Sequence, residues 1–183
     1  MGHKNREIEV KYIVQSGHSL AKVNSAVIEL LKDRLVNTIT GKSKDVYFHP
    51  TANAKMDFVR VRFGIDNDQS YITLKHTDKK TTLDRLEFDL KIDNPEMAQD
   101  ILQRCIGPIA GCLRKRYFSH FLDSYDNVSV YQITGDKRVF IEVEAANKTR
   151  LNKIIKMLKR LDLDLEVSPR SLYQIFLSPD YFD

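Results

Sequence analysis

Glu7-Ile8-Glu9-Val10-Lys11, near the N-terminus of this 183-residue chain, is the stretch on which the fold prediction depends. Side chains of a β-strand alternate between its two faces, so Glu7, Glu9 and Lys11 share one face and the apolar residues share the other. Two carboxylates on one strand face offer the oxygen ligands that Mg²⁺ prefers, and the lysine could meet an anion that accompanies the cation. A plain amphipathic strand has the same pattern. The interpretation therefore depends on whether later strands repeat it.

Later segments do repeat the alternation. Seven of them are predicted as strands, at residues 35–49, 58–63, 71–75, 85–92, 112–122, 128–134 and 139–144. Their charged faces carry Arg60, Arg62, Lys75, Arg85, Glu87, Asp89, Lys91, Arg114, Arg116, Glu142 and Glu144. Helical spacing of apolar residues predicts helices over 19–35, 148–161 and 170–177, and the Asn94-Pro95 start predicts another that runs to Cys105.

Eight strands, counting the opening one at residues 5–14, joined by short turns and accompanied by helices, predict an antiparallel α+β domain. A flat sheet would leave the charged faces in water, whereas an eight-stranded antiparallel β-barrel would direct them into a polar tunnel. So many charges inside a barrel would be costly without a ligand. Carboxylates that hold Mg²⁺ or Mn²⁺, beside arginines and lysines, suit a polyphosphate.

Composition sets only broad limits. The chain is 42% hydrophobic and 30% charged, with a net charge of +4, and it contains no apolar run near the ~20 residues of a membrane span. A single domain over residues 1–183, without membrane partners, is expected. The polar N-terminus favours a cytoplasmic location. Cys105 and Cys112 match no metal or redox spacing, so buried thiols in a reducing compartment are expected.

Other patterns carry less weight. Gly41-Lys42-Ser43 lacks the earlier glycine of a phosphate-binding loop, since Val36 stands there, and the histidines show no zinc spacing. His120 is either an acid or base near the tunnel or a core residue, and the second is favoured. The basic residues of helix 148–161 could bind RNA or an acidic surface, although a solvated helix face is the safer interpretation.

Taken in order, the charged positions resemble the CYTH superfamily, also called the triphosphate tunnel metalloenzymes. Glu7-Ile8-Glu9-Val10-Lys11 fits the ExExK signature of its first strand. ExExK alone is weakly specific, whereas six matches in order over nearly the whole chain are highly specific. The five later strand matches are Arg60 with Arg62, Lys75, Glu87 with Asp89, Arg114 with Arg116, and Glu142 with Glu144. Arg170-Ser171-Leu172-Tyr173 resembles the closing arginine-serine-tyrosine helix of the family.

The resemblance implies an eight-stranded antiparallel tunnel that holds a triphosphate together with Mg²⁺ or Mn²⁺. Carried over by position, the substrate-binding cations would be Lys11, Arg60, Arg62, Lys75, Arg85, Lys91, Arg114, Arg116 and Arg170. The metal ligands would be Glu7, Glu9, Glu87, Asp89, Glu142 and Glu144. The catalytic set would be Glu7, Glu9, Lys11, Arg60, Arg62, Lys75, Arg114 and Arg116.

One departure concerns the aspartate that the family usually has before its last acidic pair. Gln132 occupies that position here, unless the alignment shifts to Asp126 or Asp136. The resemblance is therefore compatible with either one or two bound metal ions. Tyr173 also falls one place beyond the usual serine-tyrosine pair.

The resemblance leaves three functions open. The first is hydrolysis of a triphosphate, with ATP or another nucleoside triphosphate, inorganic triphosphate or an RNA 5′-triphosphate end as substrate. The second is a class IV adenylyl cyclase-like reaction, and the third is a non-catalytic polyphosphate- or nucleotide-binding module. Hydrolysis is favoured because it needs no base pocket, and the retained carboxylates argue against a mere binding module. Either a monomer or a homodimer is compatible with the sequence.

Overall fold

The computed structural model describes the backbone at residues 3–15, 17–49, 57–77 and 84–177, and side chains at 8–15, 17–49, 57–76 and 87–177. Nine strands and four α-helices lie in these ranges. The strands are β1 His3–Val14, β2 Asn37–Phe48, β3 Phe58–Gly64, β4 Tyr71–Thr77, β5 Asp84–Lys91, β6 Ile109–Phe121, β7 Asn127–Ile133, β8 Val139–Ala145 and β9 Leu165–Ser168. The helices are α1 Leu20–Leu31, α2 Pro95–Cys105, α3 Lys148–Leu158 and α4 Leu172–Phe176.

The α+β class with an antiparallel sheet and accompanying helices is confirmed. The strand order is β5-β4-β3-β2-β6-β7-β8-β1-β9, with a further pairing between β5 and β1. The structure has nine strands where eight were predicted, because the four residues of β9 pair with the end of β1, Val14 opposite Leu165. Helix α3 ends at Leu158 rather than Leu161, and α1 ends at Leu31 before a 3₁₀ turn.

Contacts divide the chain into two compact units. The first unit comprises Met1–Arg6, Lys42–Arg114 and Arg170–Asp183, and the second comprises Glu7–Gly41 and Lys115–Pro169. Strands β1, β2 and β6 contribute residues to both. The single domain over residues 1–183 remains a prediction.

The first unit buries one face of β2 and β3 beneath helix α2. Val46, Phe48, Val59 and Val61 form this core, and Leu102 of α2 packs against it. The predicted start of α2 is confirmed, because the Asn94 side chain accepts a hydrogen bond from the backbone N–H of Met97 and proline occupies the first turn. The opposite face of these strands is polar.

The second unit buries the apolar face of β1, β7 and β8 beneath α1 and α3. Val23 and Val27 of α1 meet Ile154 and Leu158 of α3 in this core. His120 is fully buried on the same side, 2.8 Å from Asn24 Oδ1 through Nε2 and 3.1 Å from Thr38 Oγ1 through Nδ1. The core interpretation of His120 is therefore confirmed, and burial lowers its pKa.

The structure tests the predictions about the two cysteines and about membrane-spanning helices. Cys105 and Cys112 are free thiols, but both are exposed, so the prediction that they are buried is wrong. They lie where helix α2 ends and β6 begins, at positions whose side chains do not face the core. Among the described helices, none has the length and apolar character that crossing a membrane requires.

Candidate functional site

Three carboxylates meet on the polar face of the second unit. Glu9 of β1 lies opposite Glu144 of β8, and Glu142 lies two residues further along the same strand. One oxygen from each carboxylate lies within 4.8 Å of the other two, and Glu9 is only 2% exposed. Glu9, Glu142 and Glu144 are called the acidic cluster below.

Hydrogen-bond donors surround the acidic cluster. The buried Lys11 ammonium is 3.0 Å from Glu142 Oε2, and the Tyr131 hydroxyl donates to the same oxygen at 3.0 Å. The Asn127 amide donates to Glu144. The register explains these contacts, since Lys11 lies opposite Glu142, and Asn127 lies opposite Glu144.

The charge of the acidic cluster favours a bound cation. Like charges directly opposite each other on paired strands are destabilising, and Glu9 and Glu144 occupy such a pair. Among the described residues, Lys11 forms an ion pair with the acidic cluster, and the β7 residues that contact it, Asn127 and Tyr131, are neutral. Clustered carboxylate oxygens are the ligands that Mg²⁺ and Mn²⁺ prefer. The donor set therefore fits one divalent cation. The side chain of Glu7, the other predicted ligand on β1, lies outside the described residues.

The first unit carries its own polar face, on which charges of both signs alternate. Thr73 of β4 lies opposite Arg60 of β3 and Asp89 of β5, while Lys75 lies opposite Glu87. Lys75 Nζ is 2.5 Å from Glu87 Oε2, and Arg60 Nη2 donates to Thr73 Oγ1 at 2.9 Å. Arg60, Arg62, Lys75, Asp45, Glu87 and Asp89 are called the mixed cluster below.

Pairing within the mixed cluster corrects one expectation. Its charges were expected to be costly without a ligand, yet Arg60 and Arg62 both meet Asp45, and Lys75 meets Glu87. Asp89 accepts a hydrogen bond from the Thr73 hydroxyl. The Nε–H of Arg60 is nevertheless buried and has no hydrogen-bond partner among the described residues. Buried N–H groups are rarely left unpaired. One donor in the mixed cluster is therefore available to an added acceptor.

Burial and neighbouring charges together shift pKa values in the mixed cluster and at the adjacent Tyr47. Burial alone would lower the pKa of Arg60, but Asp45 and then Tyr47, Glu87 and Asp89 raise it above its ordinary value. Asp89 touches solvent, yet surrounding protein desolvates its carboxylate in part, and this desolvation followed by the charge of Glu87 raises its pKa. Burial, followed by the charge of Asp45, raises the pKa of Tyr47 to about 12.

Asp45 was not predicted as a site residue. It is 1% exposed and accepts two hydrogen bonds from Arg62 and one, at 3.1 Å, from the Ser43 hydroxyl. Thr73, which is fully buried, was also missed. The segment before Asp45, Thr38 to Lys44, lacks the strict alternation that would have assigned faces. The sequence showed only a carboxylate two residues after a serine, Ser43, which does not indicate a site.

Two of the remaining predicted cations, Arg114 and Arg116, line grooves on other surfaces. Arg114 is exposed and lines a groove of about 570 Å³ with Glu96 and Asp100 of helix α2, in the first unit. Arg116 is exposed and lines a groove of about 530 Å³ with Ser19, in the second unit.

The face of Arg116 follows from its register. It lies opposite Gln132, whose amide donates to the backbone oxygen of Asp136, and the neighbouring pair Tyr117–Tyr131 belongs to the face of the acidic cluster. Arg116 and Gln132 are therefore on the other face. Asp126, the first alternative for the missing carboxylate, accepts from Arg150 Nε at 2.7 Å.

Lys91, Arg170 and Arg85 are the other cations that were predicted to bind substrate. Lys91 is exposed at the end of β5, opposite Tyr71, and Arg170 is exposed just before α4. The side chain of Arg85 lies outside the described residues. Tyr173 of α4 packs its ring near Tyr47 and Phe58, at centroid distances of 5.9 and 5.8 Å, and its hydroxyl is 2.7 Å from His49 Nδ1.

Solved structures of several proteins share this fold. A Pyrococcus horikoshii protein, PH1012, matches with a TM-score of 0.67 at 23% identity, over 90% of this chain and 96% of its own. The Hippeastrum protein HpAC1, described as having a dominant triphosphatase activity, matches with a TM-score of 0.66 at 17% identity, over 94% and 96%. A Bacillus halodurans protein described as an adenylate cyclase candidate matches with a TM-score of 0.64 at 16% identity, over 96% and 99%.

Similarity at these identities establishes the fold alone. A search of the curated proteins found no match. A family model, however, matches residues 5–175, which is nearly the whole chain, and it is the model of the CYTH domain. The carboxylates of the acidic cluster and the cations of the mixed cluster lie within the matched range. The chain therefore belongs to the CYTH domain family.

Proposed function

We propose that this protein is a Mg²⁺- or Mn²⁺-dependent enzyme that hydrolyses a triphosphate. The observation that carries the proposal is the acidic cluster, in which oxygens of Glu9, Glu142 and Glu144 lie within 4.8 Å of one another. Membership of the CYTH domain family supports a triphosphate as the substrate class. The activity described for HpAC1 supports hydrolysis.

The acidic cluster would hold the cation. A bound divalent cation would neutralise charge on the phosphoryl oxygens as the reaction proceeds. Lys11 and Tyr131 both contact Glu142 Oε2, so they fix the orientation of one ligand before the cation binds. Asn127 does the same for Glu144. Such outer contacts commonly raise metal affinity by keeping ligands in place.

The mixed cluster of the first unit would bind phosphate oxygens. Guanidinium groups bind phosphate through charge-assisted hydrogen bonds, which are roughly twice as strong as neutral ones. Arg60 offers a buried Nε–H that has no acceptor among the described residues. Asp45 fixes the plane of the neighbouring Arg62 through two hydrogen bonds. The arginines are thereby ordered before an anion arrives.

A product assay tests the proposal. The purified protein is incubated with Mn²⁺ and, separately, with ATP, GTP, inorganic triphosphate and a 5′-triphosphorylated RNA, and the products are resolved by chromatography and phosphorus NMR. Hydrolysis at the terminal phosphorus gives orthophosphate and a diphosphate. Activity should disappear in EDTA and return when Mn²⁺ is added.

Two other outcomes would replace the proposal. Pyrophosphate with a cyclic nucleotide as the main product would establish the adenylyl cyclase-like alternative, because there the ribose 3′-hydroxyl attacks the α-phosphorus. Tight triphosphate binding without any product would establish a binding module. The acidic cluster argues against the binding module alone, since it is more than binding an anion requires. Hydrolysis is proposed ahead of cyclisation because it needs no base pocket.

A further inference from the structure

Lys115 lies on the face of β6 that carries Tyr117 and Ser119. The register places Tyr117 opposite Tyr131 and Ser119 opposite Ser129, and the two serine hydroxyls are 2.8 Å apart. Ser129 in turn lies opposite Glu142 on β8. Because side chains two residues apart share a face, Lys115 shares the face of the acidic cluster.

The ammonium of Lys115 is held over aromatic rings. Its Nζ is 5.3 Å from the ring centroid of Tyr131 and 5.9 Å from that of Tyr117, within the range of a cation–π attraction. Tyr131 connects it to the acidic cluster, since its hydroxyl donates to Glu142 Oε2 at 3.0 Å. One tyrosine ring therefore separates the Lys115 ammonium from a carboxylate that also meets Lys11.

The strand geometry fixes the direction in which Lys115 lies from the acidic cluster. Lys115 is opposite Ile133, and Glu142 is opposite Ser129, so the two are four residues apart along β7. Four residues of an antiparallel strand span about 13–14 Å. The Lys115 ammonium lies closer to Glu142 along the strand direction than the Lys115 backbone does, because it is placed over the ring of Tyr131.

We propose that Lys115 binds the part of a polyphosphate that lies away from the metal. A phosphate held by a cation at the acidic cluster leaves the next phosphates of the chain to extend beyond it, and an ammonium at this distance would neutralise them. A single orthophosphate is too short to be held at both places. This inference rests on the proposed function, and it assigns to Lys115 the role expected of Arg114 and Arg116.

The position of Lys115 predicts a specific kinetic signature. A contact remote from the metal is made equally in the ground state and the transition state, so its loss raises KM and leaves kcat nearly unchanged. Lys115→Met keeps most of the packing over the two tyrosines and removes the charge. KM for inorganic triphosphate should rise about 10-fold, as expected for one charge-assisted contact.

Lys44→Met is the matched control. Lys44 is also half-buried with its Nζ over an aromatic ring, 4.7 Å from the Phe63 centroid, but that ring belongs to the apolar core of the first unit. The Lys44→Met variant should have the KM and kcat of the wild type. Thermal unfolding of both variants measures any loss of packing, and calorimetry compares the binding of orthophosphate and triphosphate with Mg²⁺ present.

The outcomes are separable from those of the proposed function. A rise in KM and a weakened triphosphate affinity in Lys115→Met, with orthophosphate binding unchanged, support the inference. If Lys115→Met behaves like the active wild type, or if Arg116→Met raises KM more than Lys115→Met does, the assignment to Lys115 is wrong while the proposed function stands. A wild-type protein that neither binds nor hydrolyses any triphosphate overturns both.

Discussion

Arg62 and Asp45 form a two-point ion pair inside the first unit. Arg62 Nε is 3.0 Å from Asp45 Oδ1 and Arg62 Nη2 is 3.0 Å from Oδ2, so the planar guanidinium and the carboxylate lie edge to edge. Arg60 Nη1 approaches the same Oδ2 at 3.7 Å. Burial and then the charge of Arg60 lower the pKa of Arg62, but the charge and hydrogen bonds of Asp45 raise it, and its pKa lies above the ordinary value. One carboxylate therefore holds two like charges side by side.

Asp45→Asn should reduce kcat for triphosphate hydrolysis about 10- to 100-fold, because a charge-assisted contact of about 1.5–3 kcal/mol that orders Arg62 is lost. Affinity for the substrate should change less, since the added net positive charge offsets the lost order. Steady-state kinetics on inorganic triphosphate separate the two parameters.

A double-mutant cycle distinguishes this role from a general loss of structure. In an Arg62→Gln background, Asp45→Asn should have a much smaller effect on kcat, because the group that Asp45 orients has been removed. Equal effects in both backgrounds would show that Asp45 does not act through Arg62. Asp126→Asn, which breaks the part-buried contact with Arg150 in the second unit, is the control for loss of an ion pair.

Glu9→Gln should weaken Mn²⁺ binding and lower turnover by at least ~10²-fold, as expected when a metal ligand of a phosphoryl-transfer site is lost. The change keeps the size of the side chain and removes its charge. Electron paramagnetic resonance of free Mn²⁺ measures the affinity without any turnover. Glu166→Gln, at an exposed position of β9, is the control and should bind Mn²⁺ like the wild type. Unchanged Mn²⁺ affinity in Glu9→Gln would show that the acidic cluster does not bind the metal.

The alternation of charged and apolar residues was sufficient to predict the polar face of a strand where only one assignment of its two faces fits the sequence. Glu9, Lys11, Arg60 and Lys75 were assigned to polar faces from sequence, and the register between neighbouring strands agrees with each assignment. Their apolar neighbours, such as Val10 and Val59, alternate without interruption. A strictly alternating strand therefore predicts which face a residue occupies.

Alternation was insufficient where charges are consecutive. Arg114-Lys115-Arg116 is cationic at every position. The polar face would therefore carry a cation whether Arg114 and Arg116 or Lys115 pointed to it. The pairing of Tyr117 with Tyr131 decides the phase, and that pairing depends on the β6–β7 connection rather than on β6 itself. Strand β9 was missed for a related reason, because four residues are too few to reveal a period.

His120 should make stability fall in mild acid. Burial lowers its folded pKa below the ordinary value of 6.5, so as pH falls through 6.5 the unfolded chain binds a proton that the folded chain does not. The free energy of unfolding then decreases by up to about 1.4 kcal/mol per pH unit until the folded pKa is reached. Urea unfolding at pH 7.5 and 5.5 measures this loss.

His120→Gln should reduce that pH dependence, because it removes the titrating group while leaving an amide that can meet Asn24 and Thr38. His18→Gln, at a half-buried position of the same unit, is the control. If His120→Gln and wild-type protein lose the same stability between pH 7.5 and 5.5, His120 is not the group responsible.

Thr73→Val should raise the pKa of Asp89 further. The Thr73 hydroxyl donates to Asp89 Oδ1 at 2.6 Å and accepts from Arg60 Nη2 at 2.9 Å, so it links the two charged groups. Its hydrogen bond lowers the pKa of Asp89 against the desolvation and the Glu87 charge that raise it. Valine has nearly the same shape and makes no hydrogen bond, so the ionised carboxylate loses its donor.

Two measurements check this expectation. Carbon-13 NMR of the aspartate carboxyl groups should show the Asp89 titration at higher pH in Thr73→Val than in the wild type, and a fall or no change would contradict it. Urea unfolding at neutral pH should show a loss of about 1–3 kcal/mol, since the buried Arg60 guanidinium and the partly desolvated Asp89 carboxylate each lose a partner. A carboxyl group whose folded pKa is raised destabilises the fold once it ionises. The loss should therefore shrink as pH falls through the folded pKa of Asp89 toward its ordinary 3.8, because the protonated carboxyl carries no charge to be left unpaired.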